Sequence, residues 1–168
     1  SSGVIILKGQ RIDLSGLAGD IAISSEMLPD IEVIKVTGNA VMTIENLTSF
    51  HLADGRDCLL IYLGGFHNQV RRDFIRKLHI QNPTATYFHF GDIDAGGFQI
   101  LQHLRHQTGI DFKPWKMDLE TLMQYEAFAR PLTENDRHRL NQLLGQGFDE
   151  TIHYMLENNV KLEQEAVR

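Results

Sequence analysis

Hydrophobic and polar positions change rhythm along this chain at about residue 38. Before that point the apolar residues come in short runs, "VIIL", "RIDL", "DIAIS" and "IEVIKV", with Gly16, Gly19 and Pro29 between them. Short β-type runs bounded by turn residues predict strands, so residues 1–37 read as an N-terminal β-rich extension. From residue 38 strands and helices alternate. "AVMTIE" (40–45), "CLLIYLGG" (58–65) and "ATYFHF" (85–90) are strand-like, and the continuous apolar run of the second is what a strand covered on both faces shows. "NLTSFHLA" between the first two reads as a short helix. "FHNQVRRDFIRKLHI" (66–80) places Phe66, Val70, Phe74 and Leu78 at helical spacing, and "GGFQILQHLRHQTG" (96–109) ends on Gly109, a suitable C-terminal cap. "FKPWKMD" (112–118) predicts a last strand that Pro114 confines to a sheet edge. Three helical segments follow over 119–168, "DLETLMQYEAFA", "TENDRHRLNQLLGQ" and "FDETIHYMLENNVKLEQEA", with Thr133 and Asp136 spaced as a capping box.

Strands alternating with helices imply a parallel sheet with right-handed crossovers. The expected fold is therefore α/β: a core over 38–118 with a parallel sheet flanked by helices, an N-terminal β extension, and a C-terminal helical tail packed on the core. In such sheets functional groups gather beyond the carboxyl ends of the strands. Three of those ends carry chemistry here: Glu45, then Gly64-Gly65, then Asp92 and Asp94 in "HFGDIDAGGF".

Composition narrows the class. With 42% hydrophobic and 23% charged residues the chain reads as a folded globular domain. No apolar run reaches the length of about 18 residues that spans a bilayer, and the start lacks the basic segment of a signal peptide. The opening Ser-Ser-Gly suggests a piece of a longer protein. The lone Cys58 excludes an internal disulfide and fits a reducing, cytoplasmic setting as a buried, inert thiol. A net charge of −6 argues against a chain-wide nucleic-acid coat but leaves room for a local basic face.

Two carboxylates one residue apart repel unless a proton, a basic group or a cation lies between them. Capping of the next helix by Asp94 and a turn at Asp92 explain the pair locally. Capping does not explain Glu45 or the glycines. A hard cation such as Mg²⁺ takes one or two carboxylates together with water and substrate phosphate, which Glu45, Asp92 and Asp94 can supply from adjacent strand ends. Glu45, with no like-charged neighbour in sequence, is the candidate general base, and Asp92 and Asp94 are the candidate ligands.

"TIEN", "LGG" and "GDIDAGG", in this order on successive strands, resemble the Toprim domain of topoisomerases, primases and some nucleases. Within it, "GDIDAGGFQIL" resembles the topoisomerase VI A-subunit and Spo-type group, except that Ala95 stands where that motif has Pro. The chain is more similar to the JetD family, the Toprim nuclease subunits of Wadjet plasmid-defence systems. The resemblance implies a Toprim-like core over 38–118 and a metal-dependent DNA endonuclease domain. It implies Mg²⁺ (or Mn²⁺) bound through Glu45, Asp92 and Asp94, DNA and SMC-type complex subunits as partners, a homodimer, and no membrane. A topoisomerase would need an upstream tyrosine nucleophile. The first tyrosine here is Tyr62, expected inside a buried strand, so hydrolysis is the chemistry that remains. A topoisomerase VI A-like module, a DNA- or protein-binding scaffold without activity, and an aspartate-nucleophile phosphatase stay as alternatives.

Other residues carry weaker signals. His67 follows the Gly-Gly turn and is a candidate acid or phosphate contact. Asp118, with Glu120, either adds a ligand or caps the next helix. Arg71, Arg72, Arg76 and Lys77 form the densest basic cluster, a solvated face or a DNA-backbone contact. The eight histidines show no zinc-ligand spacing, and Gly145 and Gly147 follow no strand that would make a phosphate loop.

Overall fold

A computed structural model describes residues 2–64 and 68–167. The predicted helix start at Phe66, Gly65 of the Gly-Gly turn and the candidate His67 lie outside the described residues.

The N-terminal extension is a three-stranded antiparallel sheet. β1 (Gly3–Leu7) and β2 (Gln10–Asp13) form a hairpin in which Leu7 pairs with Gln10. Lys8 and Gly9 make the turn at φ 48° and 73°, the left-handed pair whose twist matches two antiparallel strands. β3 (Ile31–Val36) pairs with the other side of β1. The expected strand in "DIAIS" does not form. Both edges of β1 are taken, and residues 20–24 run irregularly into a 3₁₀ helix at Ser25–Asp30.

The core follows the predicted alternation: β4 (Ala40–Ile44), α1 (Leu47–Leu52), β5 (Leu59–Tyr62), α2 (Gln69–Gln81), β6 (Thr86–Phe90), α3 (Ala95–Thr108) and β7 (Lys113–Pro114). The strands form one parallel sheet in the order β5-β4-β6-β7. The last strand is shorter than its apolar pattern suggests. Pro114 has no N–H to offer a further neighbour, and β7 is indeed an edge. Val41, Ile44, Ile75, Leu78, Phe98, Leu101 and Leu104 are buried between the sheet and its helices. The exposed side of β3 is sealed by α2: Ile34 N–H donates to Gln81 Oε1 (2.6 Å), Val36 N–H to Asn82 Oδ1 (2.9 Å), and Asn82 Nδ2 to Ile34 O (2.8 Å). Two side-chain amides thus stand where a further strand would pair.

The tail holds α4 (Leu119–Gln124), β8 (Arg130–Pro131), α5 (Glu134–Gln142) and α6 (Asp149–Asn158); α5 packs on α3, α4 and α5 pack on α6, and Phe148 stacks on Phe98 at 4.6 Å. The third predicted helix was expected to run through the tail but stops at Asn158. Asn159 takes the left-handed conformation (φ 57°), its N–H bonds Met155 O, and the chain extends. β9 (Val160–Lys161) pairs with β8, and Leu162 exchanges backbone hydrogen bonds with Ile93 (2.9 and 3.1 Å). The capping box at Thr133 and Asp136 is present.

Asp136 also anchors the extended tail. Its Oδ2 accepts from Thr133 N–H (2.9 Å), Thr133 Oγ1 (2.8 Å) and Lys161 Nζ (2.8 Å). Burial opposes its ionisation, but the Lys161 ammonium and the Thr133 donors outweigh it and lower its pKa from the ordinary 3.8 to about 2. A depressed carboxylate contributes stability that is present above its unfolded pKa and lost as pH falls through the folded one. Asp136→Asn should therefore cost about 2 kcal/mol at neutral pH. In urea melts, the gap between wild type and variant should close between about pH 4 and pH 2.

Candidate functional site

The β4–β6 register positions the site. Thr43 pairs with His89 and Ile44 with Phe90, and one residue further on Glu45 N–H donates to Phe90 O (3.2 Å). Glu45 and Gly91 thus leave adjoining strands side by side. A Cβ on Gly91 would lie 2.0 Å from Glu45 Oε1 and 3.1 Å from His89 Nε2, so only glycine leaves room for the carboxylate. Glu45 Oε1 sits 3.0 Å from His89 Nε2, and His89 Nδ1 sits 2.9 Å from Thr43 Oγ1. An ionised carboxylate only accepts, so Nε2 carries the proton in the first contact. His89 is fully buried and Glu45 almost so. Thr43, His89 and Glu45 form a line from the sheet interior to its carboxyl edge.

Asp94 caps α3. Its Oδ1 accepts from Gly97 N–H at 2.7 Å. Capping does not exhaust a carboxylate, which has about four acceptor positions. Gly97 serves a second purpose, because a Cβ there would lie 2.2 Å from Asp92 O. The first turn of α3 rests directly on the backbone of the Asp-x-Asp segment. Asp92 Oδ1 accepts from Gln164 N–H (2.7 Å). Burial raises the pKa of Asp92 to about 6. The Gln164 hydrogen bond opposes that rise, and the negative charges of Asp94, Glu45 and Glu163 add to it. The acids feel one another.

Gln164 comes from the tail and is almost wholly buried. Its Nε2 donates to Phe90 O (3.1 Å) and its Oε1 accepts from Asn46 N–H (3.0 Å). Asn46 in turn caps α1 through Ser49 N–H and donates Nδ2 to Glu165 Oε1 (2.6 Å). One amide therefore clamps the ends of β4 and β6, while its backbone holds Asp92. Spacing offered no sign of His89 or Gln164. His89 was traceable only by counting back from Glu45 and Asp92 to the cross-strand pair, and Gln164 lies 72 residues from its carboxylate.

Glu45, Asp92 and Asp94 are the residues that could hold a hard cation, and only together with water and phosphate. Among the described residues no group of three or more His, Cys, Asp or Glu side chains is disposed to hold a metal ion by itself. Glu45, Asp92 and Asp94 each give one oxygen to a protein hydrogen bond and line adjoining strand ends. Magnesium is commonly held in this open way, by one or two carboxylates completed by water and phosphate.

Asp118 caps α4 through Thr121 N–H (2.8 Å), with Glu120 exposed in the first turn. Arg76 pairs with Asp73 (3.3 Å) and donates to Gln107 O at the end of α3, and Lys77 donates to Leu28 O (3.3 Å), so both tie α2 to its neighbours. Arg72 donates to Gln69 Oε1 (2.7 Å). Arg71 lines an apolar cavity of about 340 Å³ between the N-terminal extension and the β5 edge. Tyr62, expected to be buried, is 38% exposed, because β5 is an edge strand and Tyr62 is its last residue. Cys58 is half-buried, and burial pushes its thiol up to about 11, which keeps it inert. Gly145 and Gly147 form the left-handed turns before α6 (φ 80° and 89°).

The four-stranded parallel sheet flanked by helices is a Toprim-like α/β fold. The chain belongs to the family described as Wadjet protein JetD, C-terminal, whose model matches residues 4–168. It is 27% identical over 171 residues to the Wadjet protein JetD of Bacillus cereus (strain Q1), an alignment covering 97% of this chain and 42% of that protein. The chain thus spans less than half the length of this curated relative. Among the described residues no helix is long and apolar enough to cross a membrane.

Asp92→Asn should stabilise the metal-free protein. A carboxyl whose folded pKa is raised destabilises the fold once it ionises, so the gain should be absent below about pH 4 and grow through pH 6 to about 2–3 kcal/mol. Thermal melts in chelator across that range test this, and a variant no more stable at pH 8 would contradict it. Gly91→Ala should act the other way. It should cost about 1–3 kcal/mol by overpacking and shift the His89 ring-nitrogen resonances as Glu45 is displaced.

Proposed function

We propose that this chain is the DNA-cleaving domain of a JetD-type plasmid-defence nuclease and hydrolyses phosphodiester bonds with Mg²⁺ or Mn²⁺. The observation that carries the reading is the placement of Glu45, Asp92 and Asp94 at adjoining strand ends of one parallel sheet, where burial and then the neighbouring negative charges raise the pKa of Asp92. A divalent cation would relieve that repulsion. Asp92 and Asp94 would hold it, and when bound it would supply Lewis-acid polarisation of the phosphate and of a nearby water. Glu45, kept in orientation by His89, accepts the proton of the attacking water. Oxygen then bonds to phosphorus, the bond to the leaving oxygen breaks, and that oxygen takes up a proton. DNA, the SMC-type subunits of the same defence system and a second copy of the chain are the proposed partners.

In the full-length protein Asp94→Asn should reduce metal-dependent cleavage at least a hundredfold. DNA binding should stay within a few-fold, because asparagine still caps α3. Cleavage in excess chelator, or undiminished cleavage by the variant, would overturn the mechanism. DNA left covalently attached to protein would instead favour the topoisomerase VI A-like alternative, for which Tyr62 is the exposed tyrosine nearest the sheet edge in chain position. Specific DNA binding with no cleavage and no metal response would favour the scaffold.

The basic helix is the proposed backbone contact. Arg71→Glu with Arg72→Glu should weaken binding similarly for all sequences and flatten its salt dependence. An unchanged salt slope would leave α2 a solvated face.

A further inference from the structure

Arg139, on α5, stands beside the proposed site without belonging to any motif that pointed to it. Its Nε and Nη2 both donate to one acceptor, Gln99 Oε1, at 3.2 and 2.5 Å. Gln99 lies on α3, five residues beyond Asp94, so a side chain from the tail is fixed against the start of the helix that Asp94 caps. Gly96 marks how near they are. The point where its Cβ would sit is 3.1 Å from Asp94 Oδ1 and 3.8 Å from Arg139 Nη2. The guanidinium and the carboxylate thus flank the same small gap, left open because residue 96 has no side chain.

The surroundings of Arg139 lack the partner such a group usually has. Among the described residues no carboxylate pairs with it at ion-pair distance, although Lys161 and Arg130 on the same tail each have one. A half-buried guanidinium aimed by a neutral amide keeps its full charge and most of its donors for something else. The planar fork suits two oxygens of a phosphate. Had its role been only to hold α5 on α3, an acid at position 99 would have satisfied it more fully than glutamine does.

We propose that Arg139 is a substrate-contacting residue that donates to the non-bridging oxygens of a DNA phosphate brought to Asp92 and Asp94, with Gln99 as the residue that aims it. This rests on the phosphodiester-cleaving reading above. A phosphate there would place the positive fork against the charge that grows on the phosphoryl oxygens during attack, where fixed donors act most strongly.

The test uses the full-length protein and duplex DNA, with binding and cleavage read separately. Arg139→Gln should lower affinity about tenfold and reduce the slope of log K against log salt by about 0.9, the signature of one lost phosphate contact. Arg139→Lys should restore the slope, because the charge returns, but not the cleavage rate, because the fork does not. Gln99→Met should keep the slope and lower cleavage about tenfold or more, which a merely structural contact would not do without also lowering stability. If Arg139→Gln does not fold, the lysine and methionine variants decide the matter through the same two readouts. Wild-type affinity, slope and cleavage in the folded glutamine variant, or wild-type cleavage in both the lysine and methionine variants, would overturn the proposal. If wild-type protein binds DNA but never cleaves it while the glutamine variant still loses slope, Arg139 stands as a phosphate contact and the nuclease reading falls.

Discussion

Everything at the sheet edge depends on the register between β4 and β6. A parallel pair is held by evenly spaced bonds, and sliding it by one residue turns every side chain to the opposite face. In the register adopted, Thr43 meets His89 inside the sheet and Ile44 meets Phe90 at its margin. Glu45 and Gly91 then emerge together, and the absent side chain of Gly91 is what lets the Glu45 carboxylate lie over the end of β6. A slip would bury Glu45 or point His89 outward, and either would leave a polar group without its partner at a cost of about 1–3 kcal/mol.

Crowded carboxylates are a source of instability that the fold tolerates around Asp92. Asp136, elsewhere in the tail, shows the ordinary solution: a buried acid with an ammonium and two donors, held ionised at low pH. Asp92 is treated differently. It has one backbone N–H against burial and three negative neighbours, and its proton affinity rises. The two aspartates of one small domain are thus driven in opposite directions by their surroundings.

The tail is part of the site rather than an appendage to it. Leu162 extends pairing to Ile93, Gln164 bridges Asn46 and Phe90, and Glu163 contributes to the negative field at Asp92. α5 brings Arg139 to the same region through Gln99. At the opposite end, Gln81 and Asn82 bind the N-terminal sheet to α2, and Arg76 and Lys77 bind α2 to its neighbours. Arg76 and Lys77 of the basic cluster thus have structural work inside the fold, and Arg72 bonds Gln69 on the same helix.

By itself the sequence determined the elements whose causes are local. Alternating and continuous apolar runs define the strands, helical spacing defines α2 and α3, Gly109 and the Thr133–Asp136 box set helix ends, and the order Glu45, Gly64, Asp92, Asp94 marked which strand ends matter. Where partners were required, local pattern was not enough. "DIAIS" has strand composition but pairs with no strand, and the apolar period of the last helix continues past Asn159, where the backbone turns left-handed and the tail finds β8 and Ile93 instead. Only the tertiary structure decided that His89 would face Glu45, that Gln164 would close the strand ends, and that Arg139 would stand across from Asp94. Those contacts join residues 44 to 118 positions apart, and hydrogen bonds over such separations are set by strand register and helix packing, which no short window of residues contains.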